Sequence, residues 1–83
     1  METGEQEYEA TERNRERAER VAKALAHYKK HGLREGGRVE PEDVQDFLTD
    51  AMHYAAQRGL NWGELHRMAT SNFEAEAHGR EDW

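Results

Sequence analysis

Apolar residues return at three- and four-residue intervals over three stretches of the chain, the period of a helix that buries one face. The first stretch holds Ala18, Val21, Ala22, Leu25 and Tyr28. The second holds Val44, Phe47, Leu48, Ala51, Tyr54 and Ala55, and the third holds Leu65, Met68, Ala69 and Phe73. The pattern predicts an all-α fold: a small three-helix domain with a C-terminal helical hairpin and a charged N-terminal arm.

Local signals suggest the boundaries. Thr3 and Gln6 have the spacing of a capping box, which lets the first helix begin after Thr3. Lys29, Lys30 and His31 suit a helix C-terminus, Gly32 can take the left-handed cap and Leu33 can fold back. Residues 32–40 hold three glycines and read as a loop. Pro41 fits the first position of a second helix, with Glu42 and Asp43 against its positive end. That helix runs to about Arg58 and is capped by Gly59 and Leu60. Asn61 and Glu64 form another capping box, Trp62 opens the third helix, and it ends near Gly79. Between Met1 and Ala18 only Tyr8 and Ala10 are apolar. The expected division is an acidic, mobile arm over 1–12, one helical domain over 13–79 and a tail over 80–83 that carries Trp83.

The core available to these helices is thin. Val21, Leu25, Leu33, Val39, Val44, Phe47, Leu48, Leu60, Trp62, Leu65, Met68 and Phe73 are its large apolar candidates, with Phe47 expected opposite Leu65 in the hairpin. Domains of this size commonly need a staple, and the chain has no cysteine to make one. A partner surface, either a second copy or a target protein, is the expected remedy.

Composition narrows the class. The 83 residues suit one domain, and the absence of Cys excludes a disulfide framework and a thiolate metal site. No apolar run approaches the ~18 residues of a membrane span, and the acidic start is unlike a signal peptide. A membrane-free, cytoplasmic module is expected. The net charge of −6 hides a strong segregation: −5 over residues 1–12, +6 over 13–38 and −7 over 39–83. Such poles either screen one another within the fold or form docking surfaces.

Catalytic constellations are sparse. Ser71 is the only serine and has no activating context, and no glycine-rich phosphate cradle occurs. No enzymatic activity and no cofactor are expected. His27 and His31 share a helix face, but Lys29, Lys30 and Arg34 would repel a cation there. Asp43, Asp46, Asp50 and His53 line one face of the second helix. Oxygen ligands with one imidazole would suit a divalent metal, which leaves a metal-dependent protein using Asp46, Asp50 and His53 as an alternative. The other account of the face is solvation, with Asp50 and His53 paired across a turn. Arg13, Arg15, Arg17 and Arg20 form a basic stretch that suits phosphates or an acidic partner. Direct nucleic-acid binding is disfavoured, because Glu64, Glu74 and Glu76 occupy the would-be recognition helix. Met52 lies off the main stripe and offers an apolar anchor for a partner. The expected partner-binding set is Asp43, Asp46, Asp50, Met52 and His53, with Arg13, Arg15, Arg17 and Arg20 as the rival surface.

The stretch from Asp46 to Trp62, followed by Glu64 to Ala69 and Phe73 to Glu76, resembles a block in small uncharacterised helical proteins of phages and mobile elements. The resemblance covers residues 44–77. It implies a class that includes stoichiometric inhibitors of host defence, such as anti-CRISPR proteins. The expected function is a non-catalytic inhibitor that blocks a host or phage protein through an acidic helical surface. A homo-oligomeric module that sequesters a ligand is the second alternative.

Overall fold

Residues 8–78 are described by the structure, a computed structural model. Three helices follow one another: α1 (Glu12–His27), α2 (Pro41–Gln57) and α3 (Trp62–Ala77), with a single π-helical turn over Tyr28–Gly32 closing α1. The fold is the expected all-α, three-helix arrangement. Among the described residues no helix is long and apolar enough to cross a membrane.

α1 starts later than Thr3 and Gln6 suggested. Its N-cap is Thr11, whose hydroxyl accepts from the Asn14 amide at 3.1 Å. The four residues before it, Tyr8 to Thr11, have no helical turn. They run against the end of α3, where the Glu9 amide donates to the Ala77 carbonyl at 2.9 Å and Tyr8 stacks on Phe73. The part of the expected mobile arm that is described is therefore anchored. Thr3, Gln6, Gly79 and the tail with Trp83 lie outside the described residues.

The far end of α1 also departs from its sequence signals. The helix widens into the π turn, and the Leu33 amide donates to the Tyr28 carbonyl at 3.0 Å. Gly32 does not take the left-handed conformation. Arg34 does, with φ 61°, because the wider turn carries the chain past Gly32 before it reverses. Gly32 instead lies close under the Tyr28 ring: a Cβ there would sit 3.3 Å from it, so the ring would have to shift slightly. The second cap follows expectation. Gly59 has φ 70°, Leu60 donates to Ala55 at 2.8 Å and Gly59 donates to Ala56 at 3.2 Å. These are the paired bonds of a Schellman turn. Asn61 then caps α3 by accepting from the Glu64 amide at 3.0 Å.

Apart from Tyr28, which meets the middle of α2 at Phe47 and Asp50, the named contacts between helices fall near helix ends, so the chain closes as an open three-sided frame. The first corner joins α1 to α3. Asn14 is buried, and its side-chain amide donates to the Glu9 carbonyl at 2.8 Å and the Glu76 carbonyl at 2.9 Å. Its Oδ1 accepts from Arg17 at 2.7 Å, and Arg17 pairs with Glu76 at 3.6 Å. The second corner joins the π turn to α2. Lys29 is buried and donates to Asp43 Oδ2 at 2.7 Å and to the Arg38 carbonyl at 3.0 Å. Asp43, 3% exposed, accepts in turn from the Glu40 amide at 2.7 Å, which starts α2. The third corner is the Gly59 turn.

The core within this frame is smaller than the apolar count implied. Leu25, Ala55 and Ala77 are buried, while Val21, Val44, Leu48, Leu60, Leu65, Met68 and Phe73 stand exposed. Phe47 is half-buried, and its ring packs edge-on against Tyr28 rather than serving a hairpin seam with Leu65, which is exposed.

Two outcomes follow from the corners. Replacing Asn14 with Ala leaves the Glu9 and Glu76 carbonyls without their donor, so unfolding stability falls by about 3 kcal/mol; denaturant unfolding followed by circular dichroism measures it. At the second corner the hydrogen bond from Lys29 and then the Glu40 amide hold the Asp43 carboxyl below its ordinary range, and Asp43 holds the Lys29 ammonium above its own. The carboxylate's contribution is present above an unfolded pKa of about 4 and is lost as pH falls through the lower folded value. The ammonium's contribution is present below about 10.4 and is lost as pH rises through the higher folded value. The melting-temperature gap between wild type and Asp43→Asn should therefore be widest at neutral pH and close in acid below about pH 4.

Candidate functional site

The three corners fix which way α2 faces. At about 100° per residue, Asp46, Asp50 and His53 share one side of α2. Phe47, Ala51 and Tyr54 lie next to them, toward α1. Val44, Leu48 and Met52 run along the other side. Met52 lies about 160° around the helix from Asp50, so it belongs to the apolar stripe and not to the acidic face. The expected set of Asp43, Asp46, Asp50, Met52 and His53 is thereby divided between two surfaces and one joint.

Asp43 leaves the set first. It is buried, its carboxylate is held by Lys29 and the Glu40 amide, and it works as the joint described above. Asp46, Asp50 and His53 are exposed. Asp50 pairs with Tyr28 rather than with His53: the Tyr28 hydroxyl donates to Asp50 Oδ2 at 2.5 Å. That bond, with partial burial and the charges of Asp50, Asp46 and Asp43 behind it, pushes the Tyr28 phenol up to about 12. The metal alternative finds no geometry, since among the described residues no three His, Asp or Glu side chains are placed to hold an ion. Asp46, Asp50 and His53 lie along a helix face without converging.

Beside the acidic face lies a groove of about 310 Å³ lined by Tyr28, Phe47, Asp50, Ala51 and Tyr54. Phe47, Asp50, Ala51 and Tyr54 reach it together because they sit at i, i+3, i+4 and i+7 on α2. Tyr28 arrives from the π turn and stands at 82° to the Phe47 ring, with centroids 5.1 Å apart. Tyr54 is 55% exposed, and the Arg58 guanidinium lies over its ring at 4.8 Å from the centroid. Sequence reasoning assigned Tyr28, Phe47 and Tyr54 to a core stripe. The usable signal was a carboxylate set between aromatics within that stripe, Phe47–Asp50–Tyr54, which an apolar core does not want.

A second hollow of about 200 Å³ lies between Tyr8, α1 and the end of α3. Its polar groups Asn14, Arg17 and Glu76 already bond one another. The rival basic surface is depleted by the same corner. Arg17 serves Glu76 and Asn14, and Arg15 donates to the Ala10 carbonyl at 2.6 Å. Arg13 and Arg20 are exposed on α1. Part of the charge segregation is thus internal, with basic α1 set against acidic α3.

The chain matches no protein-family model, no curated protein and no solved structure.

Proposed function

We propose that this chain is a non-catalytic binding protein that acts by stoichiometric occupation of a partner protein. Its docking surface is the acidic side of α2, Asp46, Asp50 and His53, together with the aromatic groove beside it. The observation that carries this reading is the exposure of Tyr54 and the groove next to carboxylates that pair with no cation among the described residues, whereas Asp43 is neutralised by Lys29. Carboxylates speed the encounter with a basic partner, and aromatic side chains slow its release. The resemblance of residues 44–77 to phage and mobile-element proteins supports a host defence protein as the partner and an inhibitor as the role.

Charge reversal tests the polarity of the surface. A tagged chain captures its partner from a bacterial lysate that carries defence systems, and the captured amount is compared between variants. Asp46→Lys with Asp50→Lys should reduce capture tenfold or more without lowering helix content. Arg20→Glu, on the rival surface but outside the α1–α3 corner, should leave capture unchanged. Loss with Arg20→Glu and retention with the aspartate changes would invert the assignment.

A second reading, a homo-oligomeric module, is favoured by a separate observation. Val44, Leu48 and Met52 form an apolar stripe on the opposite side of α2, with Leu48 50% and Met52 48% exposed, and Leu65 and Met68 on α3 are equally open. Five large side chains about half exposed leave roughly 5 kcal/mol of burial unrealised per chain. Two copies together would recover about 10 kcal/mol, against an association cost that begins near 4 kcal/mol. The occupant this favours is a second copy, because a core so thin needs cover at all times. Sedimentation equilibrium should give a dimer for wild type and a monomer for Leu48→Lys; a wild-type monomer at all concentrations overturns the reading.

A further inference from the structure

The groove at Tyr28, Phe47, Asp50, Ala51 and Tyr54 has the chemistry of a receptor for one particular kind of group. Three aromatic rings line it, and a carboxylate stands at the same opening. An organic cation gains from both, because ring quadrupole and carboxylate charge attract it while its apolar stem packs on the rings. The chain already lays one guanidinium on this wall, since Arg58 lies over Tyr54 without lining the groove. The walls are held in place: Tyr28 is fixed by its hydrogen bond to Asp50 and by edge contact with Phe47, and both sit beside the Lys29–Asp43 joint. At about 310 Å³ the groove is at the small end of ligand sites and suits one side chain rather than a large ligand.

We propose that this groove is a slot for the guanidinium or ammonium of an arginine or lysine side chain on a basic segment of the partner protein. The proposal rests on the docking reading above and sharpens it from a charged face to one cation-accepting position. Asp50 is the charge partner, Tyr54 and Phe47 are the stacking walls, and Tyr28 positions Asp50. Asp46 and His53 lie outside the slot and set the approach.

The test compares N-acetyl-arginine methylamide with its citrulline counterpart, which has the same shape without the charge. Both are titrated into the full chain and followed by two-dimensional NMR. The arginine probe should shift the Tyr28, Phe47, Ala51 and Tyr54 resonances and bind at least tenfold more tightly than the citrulline probe. Asp50→Asn and Tyr54→Leu should each weaken the arginine probe fivefold or more. Tyr54 is exposed, so its replacement leaves the fold intact, and unchanged circular dichroism verifies this for both variants. Equal binding of the two probes, absence of shifts at the groove, or shifts confined to other acidic residues would overturn the slot. The docking reading fails distinguishably: if partner capture survives Asp46→Lys with Asp50→Lys while the arginine probe still binds the wild-type groove, the groove is a cation slot but the partner does not use it, and the docking surface falls. If capture is lost on charge reversal and the probe ignores the groove, the reverse holds.

Discussion

The buried contact between Lys29 and Asp43 is the constraint on which the other features depend. One ammonium satisfies a carboxylate and a loop carbonyl, and the same carboxylate accepts from the amide of Glu40, the residue that caps α2. Removing either charge would leave the other buried without its partner, the costly case for ions out of water. The joint therefore fixes three things at once: the end of α1, the course of residues 33–40 and the rotation of α2 about its axis. Tyr28 meets Asp50 and Phe47 because that rotation is set. With α2 turned by one residue, the acidic face and the groove would part.

The frame's economy of contacts explains the exposure of its apolar stripes. A three-helix bundle buries side chains along the whole length of each helix. Here the corners hold the helices near their ends, and among the described residues Leu25, Ala55 and Ala77 are the buried apolar ones. The two sides of α2 then differ in kind. One combines carboxylates with aromatic rings, which suits a partner that arrives and leaves. The other is aliphatic, which suits an interface that stays closed.

The helices themselves were legible in the sequence wherever local chemistry decided them. Pro41, Gly59 and Asn61 act within a turn of their own position, and each performs the role its residue type suggests. Errors arose where a distant residue overrode a local signal. Thr11 caps α1 because Asn14 is held by Glu9 and Glu76, and nothing near Thr3 announces that bond. Gly32 lost the left-handed position because α1 widened under Tyr28. Asp43 read as one of four similar acids, and its burial depends on Lys29, fourteen residues away. Met52 was misplaced for a simpler reason: it follows Val44 and Leu48 at intervals of four, a stripe that the broader apolar face obscured. Of the candidate site, the carboxylates were visible and the aromatic walls were not, because a tyrosine in an apolar stripe reads as core until its exposure is known.

The Asn14 corner differs from the other two in how far apart along the chain its partners lie. Asn14 and Glu76 are separated by 62 residues, while the Lys29 joint and the Gly59 turn link near neighbours. Closing so long a loop carries the largest chain-entropy penalty of the three, although that penalty grows only with the logarithm of length. The helices and the two local corners can form without bearing that penalty. Release of the Asn14 corner also restores more chain freedom than opening either of the other two corners would. None of the bonds that set the rotation of α2 and the walls of its groove belongs to the Asn14 corner. The molecule therefore has a soft side and a stiff side, and the surface assigned to partner recognition lies on the stiff one.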